Sequence, residues 1–164
     1  MKRIICILMM LLFAFPALAE GAPLVERNPF APYEIALPEG VTLEAHEGTH
    51  AFASGKTRVV AMLIERVPDA DPAEAIVRLM GQFEPDAKIE EKLVLENGCV
   101  GLTACTTDKF GEGVHQWNVM ILSAQGDLLI LSGYDLDGDD ESVHELLDAL
   151  LAEITLNGAD VVIK

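Results

Sequence analysis

The sequence predicts an α/β (α+β) protein in which an antiparallel β-sheet lies between helices. Two apolar runs, Trp117 to Ala124 and Leu128 to Tyr134, flank Gln125-Gly126-Asp127, a short connection typical of a β-hairpin. Side chains of a strand alternate between faces, and both faces of this hairpin are apolar, so each face needs a cover. Two segments with helical periodicity supply those covers, and the hairpin is predicted to lie at the centre of the sheet.

The first residues match a secretory signal peptide. Lys2 and Arg3 precede an apolar run from Ile4 to Phe15, and Ala17-Leu18-Ala19 fits a cleavage site. We therefore expect cleavage after Ala19 and a periplasmic or secreted protein. The run has 12 residues, whereas a transmembrane helix needs about 20. We expect no stable membrane insertion, and an uncleaved anchor is the competing interpretation.

The predicted organisation has four parts. Residues 1–19 are the signal peptide, 20–32 an extended segment with Pro23, Pro29 and Pro32, 33–156 a single α/β domain, and 157–164 a C-terminal tail.

The chain is strongly acidic. Removing the signal takes away two basic residues and no acidic ones, so the formal charge of −16 becomes −18 over 145 residues. Such a charge repels phosphate backbones, so we expect no nucleic-acid partner, and it favours a basic protein partner. Acidic residues that only keep a secreted domain soluble are the alternative explanation. The sequence leaves the oligomeric state open.

The first part of the domain reads as strands joined by turns. Alternation and turn residues predict strands from Tyr33 to Leu37, Val41 to Ala45, Thr49 to Ser54 and Thr57 to Val67, with turns at Pro38-Glu39-Gly40 and Gly55-Lys56.

The first helix is marked by its start. Asp71 is a suitable N-cap, Pro72 fits the first helical position, and Glu74 completes a capping box. One apolar stripe is predicted to face the sheet, and its members are Ile76, Leu79, Met80 and Phe83.

Two strands joined by Asn97-Gly98, a strong hairpin signal, are predicted next. The first runs from Ala87 to Glu96, with Ile89, Leu93 and Leu95 on one face, and the second runs from Cys99 to Thr107.

The last helix follows an acidic loop from Asp135 to Asp140. Ser142 and Glu145 fit a second capping box, and Asn157-Gly158 fits a stop. A broad apolar stripe between them comprises Val143, Leu146, Leu147, Leu150, Leu151 and Ile154.

This order of elements resembles the PsbP-like fold, which many small bacterial envelope proteins share, including the periplasmic DcrB family. The residues that carry the likeness are Leu37-Pro38-Glu39-Gly40-Val41, Asp71-Pro72-Ala73-Glu74, Asn97-Gly98 with Gly101, and Leu150 to Leu156. The resemblance implies an accessory or binding module, and it transfers no catalytic residue to this chain.

The pattern His46-Glu47-Gly48-Thr49-His50 matches the H-E-x-x-H motif of zinc proteases. That motif needs a helix to bring both histidines onto one face, whereas strand alternation on either side places this stretch at a hairpin tip. We expect ordinary turn residues, and a metal site remains the alternative.

The acidic stretch from Asp135 to Glu141 invites a calcium interpretation. Counted from Asp135, the EF-hand glycine position holds Asp140 and the glutamate position holds Leu146. Carboxylates that stabilise a helix N-terminus explain the composition without an ion, and weak calcium binding stays open.

Cys99 and Cys105 are the cysteines outside the signal peptide. Six residues apart on a straight strand, they would lie roughly 20 Å apart, whereas a disulfide needs Cα atoms within about 7 Å. We predict free, mostly buried thiols.

No catalytic constellation emerges from these patterns. His115 and His144 have no evident partner, and Trp117 is predicted to be a packing residue. We expect no catalytic residues, no metal ligands and no cofactor, and a non-enzymatic binding or accessory protein with a protein partner. The alternative is a metal-dependent hydrolase that uses His46, Glu47 and His50.

Overall fold

A computed structural model describes residues 25–27, 33–46, 49–64, 71–96, 98–156 and 159–160. Several predicted features lie outside the described residues: the signal peptide, most of the extended lead-in, the hairpin tip at Glu47-Gly48, Asn97 of the turn, and the helix stop at Asn157-Gly158. The described parts hold two helices, α1 (Pro72–Phe83) and α2 (Asp140–Ala152). They also hold eleven strands: β1 (Val25–Arg27), β2 (Tyr33–Ala36), β3 (Thr42–His46), β4 (Thr49–Ser54), β5 (Thr57–Ile64), β6 (Lys88–Val94), β7 (Val100–Thr106), β8 (Gln116–Leu122), β9 (Leu128–Asp135), β10 (Ile154–Leu156) and β11 (Ala159–Asp160).

Seven strands form the main sheet, in the order β3-β4-β5-β9-β8-β7-β6, and all neighbours are antiparallel. β9 is the central strand and pairs with β8, in a register that runs from Trp117 opposite Gly133 to Leu122 opposite Leu128. The prediction of a hairpin at the centre of the sheet is confirmed.

The two faces of this sheet carry separate hydrophobic cores. On one face α1 packs on a core that includes Met120 and Leu122, and on the other α2 packs on a core that includes Val119 and Ile121. Alternation along β8 therefore sends its apolar side chains into both cores, as the sequence predicts.

A small second sheet shares the α2 face. Its order is β1-β2-β10-β11, and its residues Tyr33, Ile35, Ile154 and Leu156 are buried in the same core as α2. Ile154 lies in β10 and does not continue the helix, in contrast to the prediction. The fold is mixed and antiparallel, but one face is covered by a helix and a sheet together, so the description of a sheet between helices holds only in part.

The start of α1 is the predicted one. Oδ1 of Asp71 accepts hydrogen bonds from the backbone N–H groups of Ala73 at 2.9 Å and Glu74 at 3.4 Å. Ile76 and Met80 are buried, but Phe83 is 37% exposed. Phe83 is the last residue of the helix, where the chain turns toward β6, and its side chain is left at the edge of the core.

A β-bulge corrects the predicted face of β6. The pairing of β6 with β7 shifts between Ile89 and Glu91. Ile89 packs against the α1 core, whereas Leu93 and Leu95 belong to the α2 core. One extra residue reverses the faces beyond it, so the prediction that these three side chains share a face is wrong.

The start of α2 also differs from the prediction. Asp139 is the N-cap, and its carboxylate accepts from the backbone N–H of Ser142 at 3.2 Å and from Ser142 Oγ at 2.7 Å. The helix therefore begins one turn before the predicted capping box of Ser142 and Glu145. Asp139 takes the cap position because its carboxylate reaches a free N–H group of the first turn.

Among the described residues, neither helix is long and apolar enough to cross a membrane.

Candidate functional site

A groove runs between α2 and the outer strands of the main sheet. The helix packs over β5 and β9, so the neighbouring strands β8, β7 and β6 continue beyond it on the same face. The groove encloses a cavity of about 270 Å³. The offset of the helix from one half of the sheet therefore creates a concave surface.

Helix α2 forms one wall of the groove. The side chains that line it from α2 lie on one stripe of the helix: His144, Leu147, Asp148 and Leu151. Leu147 and Leu151 also belong to the hydrophobic core, whereas His144 and Asp148 are exposed. The wall is apolar at its base and polar at its rim.

Strands β6, β7 and β8 form the floor and the other wall of the groove. Three of the lining residues are neighbours across these strands, because Glu91 pairs with Thr103 and Thr103 pairs with Val119. Leu93 and Trp117 complete the floor. The bulge in β6 is what places Glu91 and Leu93 on this face, so the irregularity that the sequence did not reveal helps to build the site.

The indole of Trp117 is held in place from two sides. Its Nε1 donates a hydrogen bond to Asp140 Oδ1 at 3.0 Å, and its ring centroid lies 4.3 Å from that of His144 with a tilt of 59°. The second oxygen of Asp140 lies 2.7 Å from His115 Nδ1. One carboxylate at the start of α2 thus joins the helix to the start of β8.

The sequence offers His115 and His144 no partner for acid-base chemistry and favours solvated or edge positions for them. His144 is exposed and contacts Trp117, and His115 is half-buried and contacts Asp140. Trp117 packs against the α2 core, as predicted, but it also lines the groove. The partners lie on elements far apart in sequence, so only the register of the strands and the position of the helix bring them together.

Cys105 lies directly opposite Trp117 in the ladder and is buried. Burial raises the pKa of its thiol, and the negative charges of Asp140 and Glu90 raise it further, against a smaller lowering effect of Lys88. A nucleophilic cysteine requires the opposite shift, because the thiolate is the reactive form. The thiol is therefore a neutral, buried group.

Neither described cysteine forms a disulfide. Cys99 is half-buried and Cys105 is buried, and both are free. The prediction of free, mostly buried thiols is confirmed.

The described residues of the stretch that matches H-E-x-x-H, His46, Thr49 and His50, belong to a β-ladder. His46 pairs with Thr49 and Ala45 pairs with His50 across β3 and β4. The histidines thus stand at successive rungs and not one turn apart on a helix, as the zinc-protease motif requires. The side chains of His46 and Glu47 lie outside the described residues.

His50 is a core residue. Its side chain is 7% exposed, and its Nδ1 forms a hydrogen bond with the hydroxyl of Tyr33. The ring contacts the rings of Tyr33 and Phe52 edge-on, with centroids 5.8 and 6.4 Å apart. The interaction ties the small sheet to β4 and gives His50 a structural role.

The carboxylates of the acidic loop have protein partners. Asp135 accepts from Thr57 Oγ1 at 3.0 Å and from the backbone N–H of Asp137 at 2.8 Å. Asp137 pairs with Lys56, and Asp139 caps α2. Within the described residues, no group of three or more histidine, cysteine, aspartate or glutamate side chains is arranged to hold a metal ion.

The fold is similar to that of a solved structure, cyanobacterial PsbP (CyanoP) from Synechocystis sp. PCC 6803. The likeness covers 85% of this chain and 95% of that one, with a TM-score of 0.59 and 13% sequence identity. At this identity the likeness concerns the fold, which is PsbP-like as the sequence predicts. No protein-family model matches the sequence, and no curated protein matches it either.

Proposed function

We propose that this protein is a non-enzymatic binding or accessory protein of the bacterial envelope, which holds a protein partner in the groove beside α2. The observation that carries the proposal is the immobilised indole of Trp117 over an apolar floor in an open cavity of about 270 Å³. Binding sites are typically concave, largely apolar and furnished with a few polar groups that fix orientation. The groove has each of these properties.

The chemistry of the described residues favours binding over catalysis. The Cys105 thiol is kept neutral by burial and by nearby carboxylates, which raise its pKa. Asp140 accepts a hydrogen bond from Trp117 and also contacts His115, and within the described residues no nucleophile belongs to this hydrogen-bond network. A tryptophan at such a position is a common anchor for a partner, because it offers a large rigid surface.

The envelope location rests on the signal-peptide pattern of residues 1–19. A place among the DcrB-like proteins is the finer form of this proposal, and the turn and cap residues quoted above support it. The hydrolase alternative, built on His46, Glu47 and His50, is disfavoured because both histidines lie on a β-ladder and His50 is buried against Tyr33.

Affinity capture with a filled groove tests the proposal. Thr103→Phe places a large ring on the groove floor, and Thr42→Phe makes the same change on β3, at the other edge of the sheet. We expect a protein from a periplasmic extract to be captured by the unmodified chain and by Thr42→Phe, but not by Thr103→Phe.

Two checks make the result decisive. Thr103→Ser keeps the space open and should retain capture, and urea denaturation establishes that every variant is folded. Capture of the same proteins by all variants would contradict the proposal. Hydrolysis by metal-loaded protein that is lost in Glu47→Gln would favour the enzyme instead.

A further inference from the structure

We infer that the groove takes a basic side chain of the partner, a lysine or arginine, with its charged end between Glu91 and Asp148 and its aliphatic stem beside Trp117. This inference rests on the proposed function and specifies the chemistry of the partner. A basic protein is also the partner favoured by the charge of −18 expected after cleavage of residues 1–19.

The charges that line the groove have one sign. Glu91 stands on β6 and Asp148 on α2, so the carboxylates come from opposite walls, and both are exposed at the rim. Lysine and arginine are absent from the described lining, and His144 is its one basic side chain. A cation entering here meets carboxylate acceptors from two sides, and the same carboxylates repel an anion.

The aromatic group strengthens the same preference. A tryptophan face attracts a cation within about 6 Å of the ring centre, and the indole is fixed by Asp140 before any ligand arrives. Fixing the ring in advance lowers the entropic cost of binding.

The floor suits the stem of a long basic side chain. Lysine and arginine bury their methylene groups on apolar surface while the charged end stays polar. Val119 and Leu151 are buried at the base of the groove, and Leu93 is half-buried beside them. The cavity over this apolar base has a volume of about 270 Å³.

Fluorescence measures binding to the groove directly, because Trp117 is the single tryptophan of the chain. The probes are two acetylated hexapeptide amides in which leucine alternates with lysine in one and with glutamate in the other. We expect the lysine peptide to change the emission of Trp117, with an affinity that falls as salt is added, and the glutamate peptide to leave it unchanged.

Variants with a carboxamide in place of a carboxylate show which acidic side chains bind the lysine peptide. Glu91→Gln and Asp148→Asn should each weaken the lysine peptide by about fivefold. Glu74→Gln, at an exposed carboxylate on α1 and thus on the opposite face, should bind it as the unmodified protein does. All of these positions are exposed, so the variants are expected to fold, and urea midpoints verify it.

The outcomes separate this inference from the proposed function. Equal binding of both peptides, or lysine-peptide binding unchanged in Glu91→Gln and Asp148→Asn, overturns the inference. If Thr103→Phe abolishes capture from the extract while the lysine peptide does not bind, the groove is a binding site for another chemistry and only this inference fails. If Thr103→Phe affects neither capture nor peptide binding, both fail.

Discussion

A β-carbon on Gly133 would lie 2.8 Å from Cγ1 of Val143, closer than such atoms approach in proteins. It would also lie 3.2 Å from Val59 Cγ2 and 3.4 Å from Leu147 Cδ1. The glycine at this position of β9 therefore allows α2 to pack closely against the centre of the sheet. The distance between α2 and the sheet determines the position of the groove wall, because Leu147 belongs to the core and also lines the cavity.

Gly133→Ala should destabilise the protein for this reason. The added methyl group meets packed side chains of the core, and overpacking of this kind typically costs about 1–3 kcal/mol. Urea denaturation should show a corresponding loss in the free energy of unfolding. A change in the emission of Trp117 would accompany any shift of α2.

Gly81→Ala is the matched control. Gly81 lies within α1, and a β-carbon there would have no atom within 4 Å apart from the nearby backbone of its own helix. Alanine is the better helix former, so this variant should gain about 0.5–1 kcal/mol. A loss of stability in Gly81→Ala equal to that in Gly133→Ala would contradict the packing explanation.

Asp140→Ala should free Trp117. The change removes the acceptor of the indole N–H and the partner of His115, and about 1–2 kcal/mol of stability should be lost with these hydrogen bonds. The emission of the indole should shift to longer wavelength as its mobility and contact with water increase. Fluorescence and urea denaturation measure the two effects.

Glu141→Ala is the comparison for that variant. Glu141 is an exposed carboxylate in the same first turn of α2, so its removal has a similar effect on the helix dipole without touching Trp117. We expect no change in emission. If Glu141→Ala shifts the emission as Asp140→Ala does, the hydrogen bond is not what holds the indole.

Local patterns in the sequence predicted much of the fold. The cap of α1 at Asp71 and the hairpin of β8 and β9 depend on neighbouring residues, and both were identified correctly. Gly98, at a turn predicted from sequence, has the positive φ of 74° that such a turn favours.

Features that depend on distant residues could not be predicted. The bulge near Ile89 leaves no mark on the apolar pattern, yet it decides which side chains of β6 enter the groove. Ile154 continued the spacing of the helix but was taken into the small sheet by its partner Ile35. The groove was missed because its walls come from β6, β7, β8 and α2, and their proximity depends on the register of the sheet.

The thiols should differ in reactivity. Cys99 is half-buried, whereas Cys105 is buried and its pKa is raised by burial and nearby carboxylates. In the chain that lacks residues 1–19, alkylation at pH 8 should therefore label Cys99 first and Cys105 slowly. Mass spectrometry of timed samples measures the order.

Unfolding provides the control for the thiols. In concentrated urea without reductant, both cysteines should be labelled at similar rates, and the mass of the unlabelled protein should show no deficit of two hydrogens. A mass deficit of two hydrogens together with absent labelling would mean a disulfide. A disulfide would be incompatible with the straight pairing of β7 with β8.

Tyr33→Phe should destabilise the protein by about 1–2 kcal/mol, because it leaves Nδ1 of the buried His50 without its partner. The free energy of unfolding measures the loss.

The hydrogen bond between His50 and Tyr33 also predicts the outcome of a zinc-binding experiment. Equilibrium dialysis should find no stoichiometric zinc, whereas bound zinc that is lost in His50→Ala would support the hydrolase alternative.

The cap of α2 should give a stability difference that depends on pH. Hydrogen bonds from the hydroxyl and backbone N–H of Ser142 hold the pKa of Asp139 below its ordinary value of 3.8. A depressed pKa means that the ionised carboxylate stabilises the folded state. That contribution is complete above the ordinary pKa and is lost as the pH falls through the lower value of the folded state.

Asp139→Asn removes the charge and keeps an acceptor, so it should lower the melting temperature at pH 7. The difference from the unmodified protein should shrink below pH 3.8 as its carboxylate is protonated. Glu145→Gln changes an exposed carboxylate of the same helix, three residues after Ser142, and should have little effect at either pH. Since the sequence pattern assigned the capping box to Ser142 and Glu145, a larger effect of Glu145→Gln than of Asp139→Asn would place the start of α2 one turn later.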